Sequence, residues 1–220
     1  MNGLNGLWDA AKKSYPDSTR KNGSISPKTS MHTSFLSLNY DIIPEQYKAD
    51  AVNNILNPPE DMTKVGAPFA ILYMYEALEK LGYHDRIMQS IYDSYLPMLE
   101  LGATTVWEQF PTGTTGRAGF PTRSHTHAWS SAPIHFLNRI VLGIVPIEAG
   151  GKSVTVSPRP SGLTWAKGAT ATTNGPVEVE WKLEKGTITI RAKAPKAVEL
   201  QFVSNQELKG IKVVFNGKAL

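Results

Sequence analysis

Two short stretches of this 220-residue chain carry side chains able to do chemistry together. The first is Gly102-Ala103-Thr104-Thr105-Val106-Trp107-Glu108, which sets a carboxylate beside an indole just after a helical pattern ends. The second is His125-Thr126-His127-Ala128-Trp129, which sets two imidazoles and another indole just before the next helical pattern begins. Between them runs PTGTTGRAGFPTRS, polar, glycine-rich and without apolar periodicity, which reads as a loop. A carboxylate can activate a water or accept hydroxyl hydrogen bonds, and indole rings offer flat apolar faces. Brought together by loops at helix ends, these groups suit a sugar pocket.

Each group also has a plainer reading. Glu108 can be a surface carboxylate or a residue satisfying amides at a helix N-terminus. Trp107 and Trp129 can be core, and Trp165 and Trp181, in the C-terminal region, are expected to be core. His125 and His127 form an H-x-H pair, but a metal site needs a third ligand with its own supporting partners. Only His32 or His135 could join them, so no metal site is expected. Arg117 and Arg123, in the joining loop, are expected as solvated charges. The adjacent Glu60 and Asp61 are expected to close a loop rather than to do chemistry.

The elements that must position these residues fall into two kinds. Residues 4–14 place Leu4, Leu7, Trp8 and Ala11 at helical spacing until Pro16 stops them. Ser30 is placed to cap a second helix carrying Met31, Phe35 and Leu38, and a third runs to about Leu56 before Asn57-Pro58-Pro59. Ala67, Ala70, Ile71, Met74, Ala77, Leu78 and Leu81 draw one continuous apolar face, closed by Gly82. His84 and Asp85 open the next helix, with Ile87, Met88, Ile91, Tyr95, Leu96 and Leu99 inward and Gly102 as its stop. A last helix covers about Ser131–Leu142. Helices in tandem, joined by short turns and longer loops, describe stacked hairpins.

After Gly143 the apolar period drops from helical to 2. Val177, Val179, Trp181 and Leu183 alternate with Glu178, Glu180 and Lys182; Glu184-Lys185-Gly186 turns the chain into Ile188, Ile190 and Ala192. Opposed Glu and Lys/Arg side chains favour this antiparallel pairing. Val198, Leu200 and Phe202 repeat the alternation, as do Ile211, Val213 and Phe215 before an Asn216-Gly217 turn, and Val154 with Val156 adds a shorter strand. Five or more such strands predict a small antiparallel β-sandwich, with the boundary after residue 146: residues 1–146 helical, 147–220 sandwich.

Composition excludes several classes. With 41% hydrophobic and 19% charged residues the chain is an ordinary globular one. The net charge of +4 conceals 12 basic against 13 acidic residues over 1–146 and 11 against 6 over 147–220. The basic residues of the tail are scattered singly, which does not make a nucleic-acid footprint. Absence of cysteine removes disulfides, thiol nucleophiles and thiolate metal sites but leaves the compartment open. No apolar run reaches a membrane span. The opening MNGLNGLWDAAKKSYPDS lacks the basic start and apolar block of a signal peptide, and as a helix already under way it suggests a chain beginning inside a domain.

The ordered set GATTVWE, a glycine-rich loop, HTHAWSSAP, FLNRIVLGIVP and SPRPSGLTWAKGATATTNGPVEVEW resembles the C-terminal half of the α-L-rhamnosidase family of glycoside hydrolases. The upstream VGAPFAILYMYEALEKLGYHDRIM and LWDAAKKSYPDS also look like that family, so the resemblance covers nearly the whole chain. It implies part of an (α/α)6 toroid followed by a C-terminal β-sandwich, and cofactor-free, inverting hydrolysis of terminal α-L-rhamnose. It also implies that Glu108 is the general base, with His127 contacting the sugar and Trp107 and Trp129 beside them. An inverting glycosidase needs two carboxyls roughly 6.5–9.5 Å apart, and in the family the acid lies upstream, in the half of the toroid that this chain does not contain. The isolated chain is therefore expected to be weakly active or inactive. The expected partner is a carbohydrate, with neither nucleic acid nor membrane, and an open toroid is expected to self-associate or to need the absent half. The alternative is a non-catalytic carbohydrate-binding or structural module of the same architecture, and another is the same toroid acting on a different sugar.

Overall fold

The computed structural model describes residues 3, 6–111 and 122–220. Contacts divide the chain into two compact units, Met1–Ala132 and Pro133–Leu220. The described residues of the first include four helices, α1 (Met31–Asn39), α2 (Glu45–Leu56), α3 (Pro68–Lys80) and α4 (His84–Glu100). α1 packs on α2 and α3, and α3 on α4, as hairpins stacked in chain order do. Phe35, Ala51, Ile71, Tyr75 and Ile87 form the interior. Leu81 and Leu99, expected inward, stand exposed at the last turns of α3 and α4. There the apolar stripe drifts past the packed face, and Met98, one position earlier, is buried in place of Leu99. No helix among the described residues is long and apolar enough to cross a membrane.

The predicted helix over 4–14 does not form among the described residues. Asp9 bridges to Ser14, and the Asp9 carboxylate accepts from the Ala11 and Lys12 amides at 2.9 and 3.0 Å. A short acidic side chain folding onto nearby amides competes with the helix ladder. Trp8 stacks on Tyr47 from α2 with centroids 4.3 Å apart and stands edge-on to Tyr15 at 5.0 Å. Tertiary stacking, not helical periodicity, explains its apolar position. Ser30 likewise precedes α1 but makes no side-chain cap; the Met31 amide donates to Thr63 O at 3.0 Å instead. Glu60 and Asp61 lie exposed in the turn that Met62 closes onto Pro59.

The second unit opens with α5 (Ala132–Ile140) and continues into eight strands: β1 (Ile144–Pro146), β2 (Ser153–Val156), β3 (Trp165–Thr172), β4 (Gly175–Glu184), β5 (Thr187–Lys193), β6 (Glu199–Phe202), β7 (Lys212–Phe215) and β8 (Lys218–Ala219). They form a three-stranded sheet, β1-β2-β6, and a five-stranded one, β3-β4-β5-β7-β8. The predicted hairpins are present, with Lys185-Gly186 and Asn216-Gly217 both at positive φ, the conformation two-residue hairpin turns demand. Glu178 faces Lys193 and Glu180 faces Arg191, as the charge pattern required. Each sheet also contains one parallel pairing, β2 with β6 and β5 with β7, made by connections too long for sequence-adjacent pairing to reveal.

Trp181 is 1% exposed, and its indole N–H donates to Val141 O at 2.8 Å, fastening the segment after α5 to the sheet. Trp165, expected in the core, is 64% exposed. Its neighbour Ala166 sits opposite the inward Trp181, so the two-residue period of the strand turns Trp165 outward.

Candidate active site

Helix α4 delivers the first of the two chemical stretches. It ends in a glycine cap: Gly102, at φ +80°, donates to Leu99 O and Ala103 donates to Met98 O, both at 2.9 Å. This bond pair satisfies the last carbonyls and turns the chain off the helix axis. Residues 105–109 then run beside 122–127. The His127 amide donates to Val106 O and the Glu108 amide to Ser124 O, both at 3.0 Å, and the Gln109 amide donates to Thr122 Oγ1 at 3.1 Å. The Thr105 hydroxyl donates to the His125 carbonyl. Two stretches far apart in sequence thereby share one short ribbon. Arg117 and the rest of 112–121 lie outside the described residues.

Along this ribbon the side chains diverge. Trp107 is 4% exposed and packs with Tyr95 and Met98. The His125 ring meets it edge-on at 4.9 Å. Glu108 is half-buried, and the Arg123 guanidinium lies 3.8 Å from its carboxylate. Arg123 is thus exposed, as expected, but also ion-paired. A pair this exposed contributes little to stability; its consequence is a cation held beside the candidate base.

His127 is half-buried and stands edge-on to Trp129, centroids 6.0 Å apart. Trp129 rides on the 3-10 turn Ala128–Ser130 and is 66% exposed. It does not stand alone: Phe69, in the first turn of α3, lies against it at 4.8 Å, with Tyr73 edge-on to Phe69 at 6.3 Å. The apolar periodicity of α3 gave no reason to single out Phe69, because it falls off the buried stripe. An aromatic at an outward position of a helix's first turn was the available signal.

The turn that carries Trp129 is anchored from the core. The Tyr95 hydroxyl donates to Ser130 O at 3.0 Å. Burial, with a smaller contribution from Tyr75, pushes the Tyr95 phenol above its ordinary range, so it stays a donor. Tyr95→Phe should leave that carbonyl without its partner and cost about 1–2 kcal/mol. Urea denaturation of the two proteins measures the shift.

His125 and His127 do not converge with other ligands. His32 lies against Phe35, His135 stands edge-on to Phe136, and among the described residues no three His, Asp or Glu side chains group as a metal site. The ribbon thus carries two separate sets of side chains, a half-buried carboxylate with its arginine, and an imidazole with an exposed, backed indole. A carboxylate and an imidazole can exchange hydrogen bonds with hydroxyl groups, and an exposed indole offers a flat apolar face.

Residues 7–141 match the bacterial alpha-L-rhamnosidase 6 hairpin glycosidase domain, and residues 143–215 match the bacterial alpha-L-rhamnosidase C-terminal domain. An alpha-L-rhamnosidase of Formosa agariphila is 24% identical over 233 residues, which take in 97% of this chain and 25% of that protein. Among solved structures, the GH78 family rhamnosidase of Bacillus sp. GL1 superposes with a TM-score of 0.88 at 32% identity, covering 97% of this chain and 23% of that one. Streptomyces avermitilis alpha-L-rhamnosidase complexed with L-rhamnose shares the fold, with a TM-score of 0.65, 19% identity and coverage of 84% of this chain and 19% of that one. The chain spans a quarter or less of the length of these relatives. Helical hairpins followed by two mixed sheets, matched end to end by two consecutive domains of one enzyme family, leave one conclusion: the chain belongs to the bacterial α-L-rhamnosidase family, as the C-terminal portion of its six-hairpin domain joined to its C-terminal domain.

Proposed function

We propose that this chain is the base-bearing part of an inverting α-L-rhamnosidase. Residues 1–146 belong to the six-hairpin domain in this reading, and 147–220 form the C-terminal sandwich. Glu108 takes a proton from water as that water attacks the anomeric carbon, while the glycosidic C–O bond breaks on the opposite face. The leaving oxygen receives its proton from an acid in the other half of the helical domain, outside this chain. Trp129 offers its face to the apolar side of the sugar, and His127 reaches a hydroxyl. Trp107 supports the same pocket from the core side, where it holds His125 and the ribbon. Arg123 sets a positive charge beside the carboxylate. The observation that carries this reading is the ribbon that sets Glu108 and His127 on paired backbone beside an exposed indole.

Sugar recognition can be tested in this chain by itself. Titration with L-rhamnose, followed by saturation-transfer NMR, should show binding, and Trp129→Ala should weaken it about three- to tenfold, the loss of one ring-stacking contact. No saturation transfer to L-rhamnose would remove the pocket. One other reading is a module that binds sugar without catalysing, for which the exposed Trp129 backed by Phe69 would suffice. Rhamnose binding combined with Glu108-independent hydrolysis in the longer enzyme would select it.

A further inference from the structure

The second unit presents a surface that the proposed hydrolysis does not use. The outward side of β3, β4 and β5 is a ladder of polar rows, Lys167–Glu180–Arg191 and Ala169–Glu178–Lys193, next to a row of Trp165, Lys182 and Thr189. Two depressions of about 510 and 240 Å³ open on this side, and Glu180 and Arg191 line both. The two shared residues make them neighbours along the sheet, together called the trough below. Trp165, 64% exposed, stands in register with Lys182 of the smaller depression.

A strand position on a solvated face needs no indole. Thr or Lys would fill the pleat without exposing a large apolar ring. An indole laid open beside clustered hydrogen-bonding groups is what stacking against a pyranose requires. The charges of the trough narrow the ligand further. Lys167 is paired with Glu180 at 3.8 Å and Lys182 with Glu184 at 2.7 Å. Arg191 and Lys193 stand opposite Glu180 and Glu178 in register but have no ion-pair partner within 4.0 Å among the described residues, and they sit in the part of the chain whose net charge is basic. A guanidinium held on a strand matches a carboxylate through two parallel N–H bonds. From strand spacing and rise, Trp165 and Arg191 lie about 12 Å apart along the backbone plane, farther than one sugar ring extends.

We propose that this trough binds an acidic oligosaccharide, one ring stacked on Trp165 and a uronate carboxylate held by Arg191 with Lys193. The proposal does not depend on hydrolysis at Glu108.

Isothermal titration of the purified chain with oligogalacturonate, beside a neutral glucan of similar length, provides the test. Binding should be confined to the acidic glycan. Trp165→Ala and Arg191→Ala should each weaken it at least tenfold, and Arg191→Lys, which keeps the charge but loses the fork, should also weaken it. Glu108→Gln and Trp129→Ala should leave it unchanged. Trp165, beside the trough, and Arg191, within it, are both on the surface, so the variants should keep the circular dichroism of the parent. Absence of binding, equal binding of the neutral glucan, or retention by Trp165→Ala or Arg191→Lys at parental affinity would each overturn the proposal; the last would mark nonspecific attraction to polyanions.

Discussion

Glu108→Gln should lower kcat on an aryl α-L-rhamnoside by about 10² to 10⁴-fold in an enzyme that contains this segment together with the acid-bearing half of the helical domain. Glutamine keeps the size of the side chain and the hydrogen bonds of the ribbon, which run through the Glu108 amide and not its carboxylate. What it removes is the ability to accept a proton from water. KM should therefore change little, because the sugar contacts proposed for His127 and Trp129 would persist. Arg123, left beside a neutral amide, loses only a weak, exposed partner 3.8 Å away, so the melting transition should stay within about 0.5 kcal/mol of the parent. The combination separates a base from a structural carboxylate. Unchanged turnover would end the assignment, while a fall in both stability and turnover would mean that Glu108 holds the ribbon together. The isolated chain should show little turnover even before mutation, since the inverting reaction requires a second carboxyl to protonate the leaving group. Robust turnover by the isolated chain would place that acid within these 220 residues.

Gly143→Ala should be the most damaging single methyl in the second unit, costing about 3–5 kcal/mol. Gly143 sits between α5 and β1 at φ +70°, and a Cβ there would lie 2.1 Å from the Ser157 carbonyl carbon and 2.3 Å from Pro158 N. Both are backbone atoms, so no side chain can rotate out of the way. The Ser157 amide donates to Gly143 O at 2.9 Å, which keeps the two segments pressed together. Two residues upstream, Val141 O receives the Trp181 indole bond, so a shift at Gly143 would also disturb the core of the five-stranded sheet. Gly162→Ala is the matched control. It has φ +84° but nothing within 4 Å of the added carbon, so it should cost only about 1 kcal/mol, the conformational share of the effect. Urea midpoints for the two variants give the comparison; equal shifts would show that the close approach to Ser157 has no energetic consequence.

Fold class was legible where periodicity reported burial. The helices from Met31 to Glu100 and the alternation in β4 and β5 follow directly from which positions meet water. The failures share a cause. Trp8 looked like a helix position because it recurs at the right interval, yet its partners are Tyr15 and Tyr47, and the Asp9 carboxylate spends its hydrogen bonds on local amides. Trp165 looked like core because tryptophan is usually buried, and only its register against Lys182 turns it outward. The parallel pairings of β6 and β7 were also out of reach, since nothing local to a strand names a partner across a long connection.

The sequence by itself determined the order of parts: helical hairpins, then strands, with a carboxylate and an imidazole at the ends of loops. It could do so because the 3.6- and 2-residue periods and the glycine caps are local properties of the chain. Tertiary structure alone decided which indole is buried and which is exposed, that Arg123 stands by Glu108, and that Phe69 backs Trp129. It also decided that two stretches on either side of a glycine-rich loop lie on one ribbon. Those outcomes depend on hydrogen bonds and packing between residues remote in sequence, whose energies exist only once the chain has closed on itself.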